Sequence, residues 1–360
     1  MTQWMPKRWI VWVMMGCMLL MMAAACDDDN GGGGGPVSSP CNCDDIQVIQ
    51  ENGLALTFES QSVARPANVS VLFQVETVGG EPVTGLTAND LAIFEDGERI
   101  SAYESRQALV SKPGKFRSHA MLLLDLSGSI VASENLALLK EAAKRFVFSV
   151  MLDPTSGIDI GIWWFDGARG IHPLVDPFTS DTAYVLSRID RISSDMSNDL
   201  STNLYGATIA GVQKIESMVG TFGETTAVGS LVIFTDGTDQ AAWRSREDAF
   251  EAVEDADPRV SIYTIGLAGE IDEAVLSAIG KDGSPLADDV EALVPRFEEI
   301  ADWIRRDANS HYLLEYCSPK RRGEHELRVE VVQGELSGSL STCFCAEGFT
   351  GGCTVSPYTL

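Results

Sequence analysis

The chain has 360 residues, 45% of them hydrophobic, with 26 Lys+Arg against 52 Asp+Glu and a formal net charge of −26. The length suits one large domain or two modest ones, and the apolar fraction is that of a globular protein rather than a disordered one. Such acidity excludes nucleic acid or an anionic bilayer surface as the main partner, because phosphates are repelled; a cationic ligand, or a metal held by carboxylates, stays open.

Residues 1–26 begin with Lys7 and Arg8, continue through an apolar run from Trp9 to Met22, and end Ala23-Ala24-Ala25-Cys26. A basic start, a short apolar core and small residues make an export signal. Its core is short for a spanning helix. The ending resembles the lipobox of bacterial lipoproteins, although that family usually has leucine where this chain has Ala23. The resemblance implies cleavage after residue 25, a lipid on Cys26, and attachment to the membrane by that lipid alone. The other reading is ordinary cleavage that leaves Cys26 free. Either way the chain is expected to be exported, and with the lipid it is expected at the bacterial cell envelope, on its periplasmic or surface face. Asp27 to Asp29 and Gly31 to Gly35 make 26–45 a flexible tether.

Of the eight cysteines, Cys17 leaves with the signal and Cys26 is the lipid candidate. Cys41, Cys43, Cys317, Cys343, Cys345 and Cys353 remain, an even set in an oxidising compartment, and read as three disulfides. They stand only at the two ends of the mature chain, so they are expected to staple its termini. Finger-like Cys/His spacing is missing, which argues against zinc at these thiols. The segment 343–353 looks like the last part of an EGF-like module, and 343–360 is expected to be a disulfide-pinned tail.

Over 46–115 the pattern has period two. Val69, Val71, Phe73 and Val75 alternate with Ser70, Leu72, Gln74 and Glu76, a mostly half-buried strand. Asp96-Gly97 between apolar runs predicts a hairpin turn. A sandwich-like β module follows from this. Over 116–310 continuous apolar runs at 121–124, 158–164, 231–234 and 260–267 alternate with helical spacings. These are Leu139, Ala143, Phe146, Val147 and Val150; Val212, Ile215 and Val219; and Leu293, Phe297, Ile300 and Ile304. Buried strands alternating with helices predict an α/β, doubly wound, mostly parallel sheet. Over 311–342 strand patterns return, which is expected if the α/β domain is inserted into the β module.

Asp125-Leu126-Ser127-Gly128-Ser129 follows the first buried strand, Thr202 opens the helix containing Val212, and Asp236 follows the strand 231–234. All three positions lie where an open α/β sheet binds ligands. This set resembles the metal-ion-dependent adhesion site of von Willebrand factor A domains, with Asp125, Ser127, Ser129, Thr202 and Asp236 matching the family's five ligands in order. The segment 80–100 resembles a β module that often precedes such domains in bacterial proteins. Two carboxylates and three hydroxyls are hard oxygen ligands, suited to Mg²⁺ above all, with Ca²⁺ or Mn²⁺ as alternatives. Two negative charges leave a dication electron-poor, so an open position favours an external carboxylate. The resemblance implies an adhesion or protein-binding role through an acidic side chain of a partner. It also implies that Thr202 and Asp236 can exchange roles at the metal and shift the last helix. The other reading is an envelope-assembly component whose metal only ties loops together.

Catalysis is the weaker class. His119, His172, His311 and His325 are not placed by the sequence beside Ser127 or Ser129, and no Gly-x-Ser-x-Gly elbow surrounds either serine. Trp163 and Trp164 read as core. Asp195 and Asp199 read as solvated loop, Asp239 as a candidate neighbour of Asp236, and Lys320-Arg321-Arg322 as a solvated turn.

Overall fold

A computed structural model describes residues 47–49, 52–111, 116–132, 135–152, 157–222, 225–269, 271–353 and 355. The export signal, Cys26, the glycine tether, Cys41 and Cys43 lie outside these residues. Among the described residues no helix is long and apolar enough to cross a membrane.

The chain opens with β1 (Gln47–Ile49), β2 (Leu54–Ala64), β3 (Asn68–Thr77), β4 (Leu91–Glu95), β5 (Glu98–Ile100), the short α1 (Ala102–Ser105) and β6 (Ala108–Ser111). Val69, Val71, Phe73 and Val75 of β3 are fully buried on one face, as their alternation predicts. The opposite face differs from the half-exposed expectation. Leu72 is only 2% exposed, because it packs with Phe116, Val228 and Leu313 where the β module meets the α/β segment. The β4–β5 hairpin turns at Asp96 and Gly97, with φ of 51° and 80°. Positive φ at both positions is the primed turn that matches strand twist.

The α/β segment runs β7 (Phe116–Asp125), α2 (Gly128–Val131), α3 (Asn135–Val150), β8 (Ile158–Phe165), β9 (His172–Thr179), α4 (Thr182–Asp190), α5 (Leu204–Glu216) and β10 (Gly220–Phe222). It continues with β11 (Thr225–Thr235), α6 (Arg246–Glu254), β12 (Val260–Leu267), α7 (Glu273–Ile279), β13 (Leu286–Ala287) and α8 (Leu293–Asn309). The sheet order is β13-β12-β11-β7-β8-β9, with β10 on β11. The pairs among β7, β8, β11, β12 and β13 are parallel, so the mostly parallel, doubly wound sheet is as expected. β9 and β10 are antiparallel additions. β9 carries Pro173 and Pro177, which an edge strand tolerates because one side needs no ladder donors.

Both faces of the sheet are covered. Leu122 and Leu124 of β7 pack with α3 and α8 residues such as Phe146 and Phe297, while Met121 and Leu123 pack with Val212 and Ile215 of α5. Trp163 and Trp164 are 3% and 8% exposed, in agreement with a core role. α5 ends at Glu216, so buried Val219 lies past the helix rather than in it.

After α8 only Ser310 precedes β14 (His311–Cys317), which pairs antiparallel with both β3 and β6. β15 (Glu324–Gln333) and β16 (Leu336–Cys345) complete the second sheet, β1-β16-β15-β4-β5. Strands from before and after the α/β segment thus share both sheets of the module, and one apolar core lies between them. β16 runs through Cys345, so Cys343 and Cys345 belong to the sheet and the disulfide-pinned tail expected from 343 starts after them. Cys317 is bonded to Cys353, and Cys343 and Cys345 are also disulfide-bonded. The 320–322 stretch is tied down more than a solvated turn: Lys320 pairs with Asp96 at 2.6 Å, and Arg321 donates to the Ser318 carbonyl at 2.9 Å.

Candidate metal centre

β7 delivers Asp125 to the carboxyl edge of the sheet with none of its surface exposed. Its Oδ1 accepts the Ser127 backbone N–H at 2.8 Å, which turns the chain out of the strand and into α2. Its Oδ2 accepts the Thr235 hydroxyl at 2.6 Å, from the end of β11. Ser127 and Ser129 hold their hydroxyls 3.3 Å apart, and the Ser129 hydroxyl donates to Asp236 Oδ1 at 2.8 Å. The Thr202 side chain is buried and its hydroxyl faces Gly237, 3.6 Å from where a Cβ would stand on that glycine.

Backbone bonds brace these loops against one another. Gly128 N–H donates to the Leu200 carbonyl at 2.9 Å, and the Gln240 and Ala241 N–H groups donate to the Thr202 carbonyl at 2.8 and 3.0 Å. Asp125, Ser127, Ser129, Thr202 and Asp236 therefore stand together at one edge: the first three follow β7 and Asp236 follows β11, whereas Thr202 comes from the connection between α4 and α5 rather than from a strand end.

The electrostatics of this edge suit a cation. Burial pushes the Asp125 carboxyl up to about 7, the Thr235 hydroxyl working against it and the neighbouring Asp236 carboxylate adding to the rise. A fully buried carboxylate beside a second one is costly unless a positive charge offsets both. Three hydroxyls complete a hard-oxygen set with no thiolate or imidazole, so these residues fit Mg²⁺, Ca²⁺ or Mn²⁺. Among the described residues no group of three or more His, Cys, Asp or Glu is arranged to hold a metal, this edge included, where two carboxylates meet hydroxyls.

One further residue belongs to this edge and escaped the sequence reading. Asp166, directly after β8, is 1% exposed. Its carboxylate accepts Ala168 N–H at 2.9 Å, Ser197 Oγ–H at 3.1 Å, and the Asn198 and Asp199 N–H groups at 3.2 and 3.3 Å. It holds the loop that carries Thr202. A signal was present: Phe165-Asp166-Gly167 repeats the strand–Asp–Gly arrangement of Thr235-Asp236-Gly237. Gly167 is needed for space, because a Cβ there would overlap the Ser201 hydroxyl and the Asp199 carboxylate.

The other singled-out acids have local roles. Asp199 accepts the Ser201 hydroxyl and N–H at 2.8 and 3.1 Å, and those bonds hold its carboxyl below the usual range. Asp239 accepts the N–H groups of Tyr205 and Ala242 at 3.1 and 3.0 Å, bracing the start of α5.

The histidines are engaged elsewhere. His119 lies in β7 against Phe178, and His172 stacks on Trp164 in the far edge strand. His311 stacks on Phe116, and His325 contacts Asp96 in the β module.

No protein-family model matches the sequence, and no curated protein does. Among solved structures the chain is similar to a von Willebrand factor type A protein from Catenulispora acidiphila, at 12% identity and a TM-score of 0.45, over 81% of this chain and 72% of that one. It is similar to the PilB minor pilin from Streptococcus sanguinis at 14% identity and a TM-score of 0.44, over 71% of this chain and 79% of that one. A third is proximal thread matrix protein 1 from the mussel byssus with a zinc-occupied adhesion-site motif, at 16% identity and a TM-score of 0.40. There the match covers 52% of this chain and 48% of that one, about half its length. Solved structures similar to this mixed α/β chain with its flanking β module thus include von Willebrand factor A proteins and bacterial pilus proteins.

Proposed function

We propose that the chain is a metal-ion-dependent protein-binding module of the cell envelope, exported and held by a lipid on Cys26. Asp125, Ser127, Ser129, Thr202 and Asp236 would hold a divalent cation, Mg²⁺ best suited, and the cation would present an electron-poor site to a carboxylate of a partner protein. The observation that carries this reading is the fully buried Asp125 beside Asp236, ringed by hydroxyls at the ligand-binding edge of the sheet. The chain's own residues do three things. Asp125 and Asp236 supply the charge, the hydroxyls fill coordination sites without neutralising it further, and Thr235 and the Ser127 N–H orient Asp125.

The test is retention of the mature protein on an immobilised aspartate-containing peptide, with Mg²⁺ and with EDTA. Wild type should be retained in Mg²⁺ and released by EDTA, and Asp125→Ala should not be retained although its far-UV circular dichroism is unchanged. Retention that survives both EDTA and Asp125→Ala would remove the metal from the binding reaction. For the anchor, mass spectrometry of the mature amino terminus should find a lipid-modified Cys26.

A further inference from the structure

Beside the metal-binding edge, the Arg169 guanidinium lies over the Trp243 ring, 4.2 Å from its centroid. Both residues are exposed, Trp243 to 48%. Neither is loosely held. The indole N–H donates to the Gly167 carbonyl at 2.9 Å, and the Asn203 amide donates to the Ala168 carbonyl at 2.8 Å. The guanidinium thus follows a residue bonded to the neighbour of Thr202. The indole follows closely on Gln240 and Ala241, whose N–H groups bind the Thr202 carbonyl. The pair is built onto the same braced loops that carry the metal ligand.

Arg169 carries a positive charge in a chain whose acids outnumber its bases two to one. Other arginines such as Arg117, Arg259, Arg296 and Arg328 have a carboxylate partner. Among the described residues none lies within ion-pairing distance of Arg169, and its recorded contact is the indole. The Arg169 side chain is exposed, so guanidinium N–H donors beside the ring remain for a partner. The guanidinium is a planar fork that fits a carboxylate bidentately, and the contact with the indole holds it near that place before a ligand arrives.

We propose that Arg169, seated on Trp243, is a second anchor for the same partner, so that the surface takes an acidic protein segment with two carboxylates, one at the cation and one on Arg169. This rests on the reading of the five oxygen ligands as a carboxylate-receiving cation site. A polyanion such as nucleic acid is disfavoured by the net charge of −26, whereas a short segment with two local carboxylates brings little charge beyond the two that are matched.

The probes are synthetic peptides in a Gly/Ser background, one with a single aspartate and a series with a second aspartate at increasing distance from the first. They are titrated against the mature protein in Mg²⁺. The best-spaced two-aspartate peptide should bind wild type about fivefold more tightly than the single-aspartate peptide, the gain of one well-oriented surface ion pair. Arg169→Gln should bring the two peptides to equal affinity, and Arg169→Lys should restore only part of the gain. No gain at any spacing, or a gain that survives Arg169→Gln, overturns the second anchor. Failure of the single-aspartate peptide to bind in Mg²⁺ is a separate result: it overturns the carboxylate-receiving site itself, and the second anchor with it.

Discussion

Ser129 donates its hydroxyl to Asp236 across 2.8 Å, although 107 residues separate them. The bond exists because β7 and β11 are parallel neighbours, so the loops that follow them leave the sheet at the same edge. That single contact joins two loops of the candidate metal centre, and the consequences of metal binding follow from it.

Cation binding should stabilise the fold. A ligand present at about 100 times its Kd adds roughly 2.7 kcal/mol, which for a domain of this size raises Tm by about 5–10 °C. Differential scanning fluorimetry with increasing Mg²⁺ should show this rise in wild type. Asp125→Ala should show no such response, because the buried carboxylate is the centre of the ligand set.

Asp166→Ala should weaken the site without touching the metal. The buried carboxylate accepts three N–H groups and the Ser197 hydroxyl, which would be left without it. We expect a loss of about 2–4 kcal/mol in urea unfolding and about a tenfold weaker Mg²⁺ affinity by calorimetry, since residues that orient a ligand loop matter at that level. Gly167→Ala should shift the same loop through steric overlap with Ser201 and Asp199. An unchanged Mg²⁺ affinity in both variants would show that the loop positions itself without them.

Acid should act through the junction between the module and the α/β segment. His311 is 2% exposed against Phe116, and burial lowers its pKa from 6.5 to about 4. The folded state therefore keeps it neutral while the unfolded chain takes up a proton. Its stability contribution is fully present above pH 6.5 and is lost as pH falls toward 4, about 3 kcal/mol in all. Glu59, in β2, slopes the other way. Burial raises it from 4.5 to about 7, so its contribution is present at low pH and lost as pH rises through that window. Urea midpoints across pH should show a flattened acid arm in His311→Phe and a gain near neutrality in Glu59→Gln.

Disulfides should fix the module. Cys317 and Cys353 close a loop of 36 residues, and Cys317→Ser is expected to cost about 3–4 kcal/mol on the chain-entropy account. β1 pairs with β16 so that Gln47 lies opposite Ser341, near the Cys343–Cys345 end of that strand. Non-reducing peptide mapping should link the Cys41/Cys43 pair to Cys343 and Cys345, and should find Cys317 with Cys353.

What the sequence determined by itself was whatever depends on near neighbours. The alternation at 69–75 dictated a strand, Asp96-Gly97 dictated a primed turn, and four continuous apolar runs dictated strands buried on both faces. Four oxygen-bearing residues directly after two of those strands, with Thr202 just before a helix, also marked the candidate site. The tertiary structure decided what depends on contacts across the chain. Leu72 alternates like an exposed residue yet is buried, because Phe116, Val228 and Leu313 arrive on its outer face. β14 continues the module because it pairs with β3 and β6, a match set by register rather than by local pattern. Asp166 and the Arg169–Trp243 stack acquire their places only when β8 lies beside β7 and the loop after β11 folds over both. Periodicity encodes which face of an element is buried. It does not encode which distant surface will cover that face, because that choice is made by the packing of the whole chain.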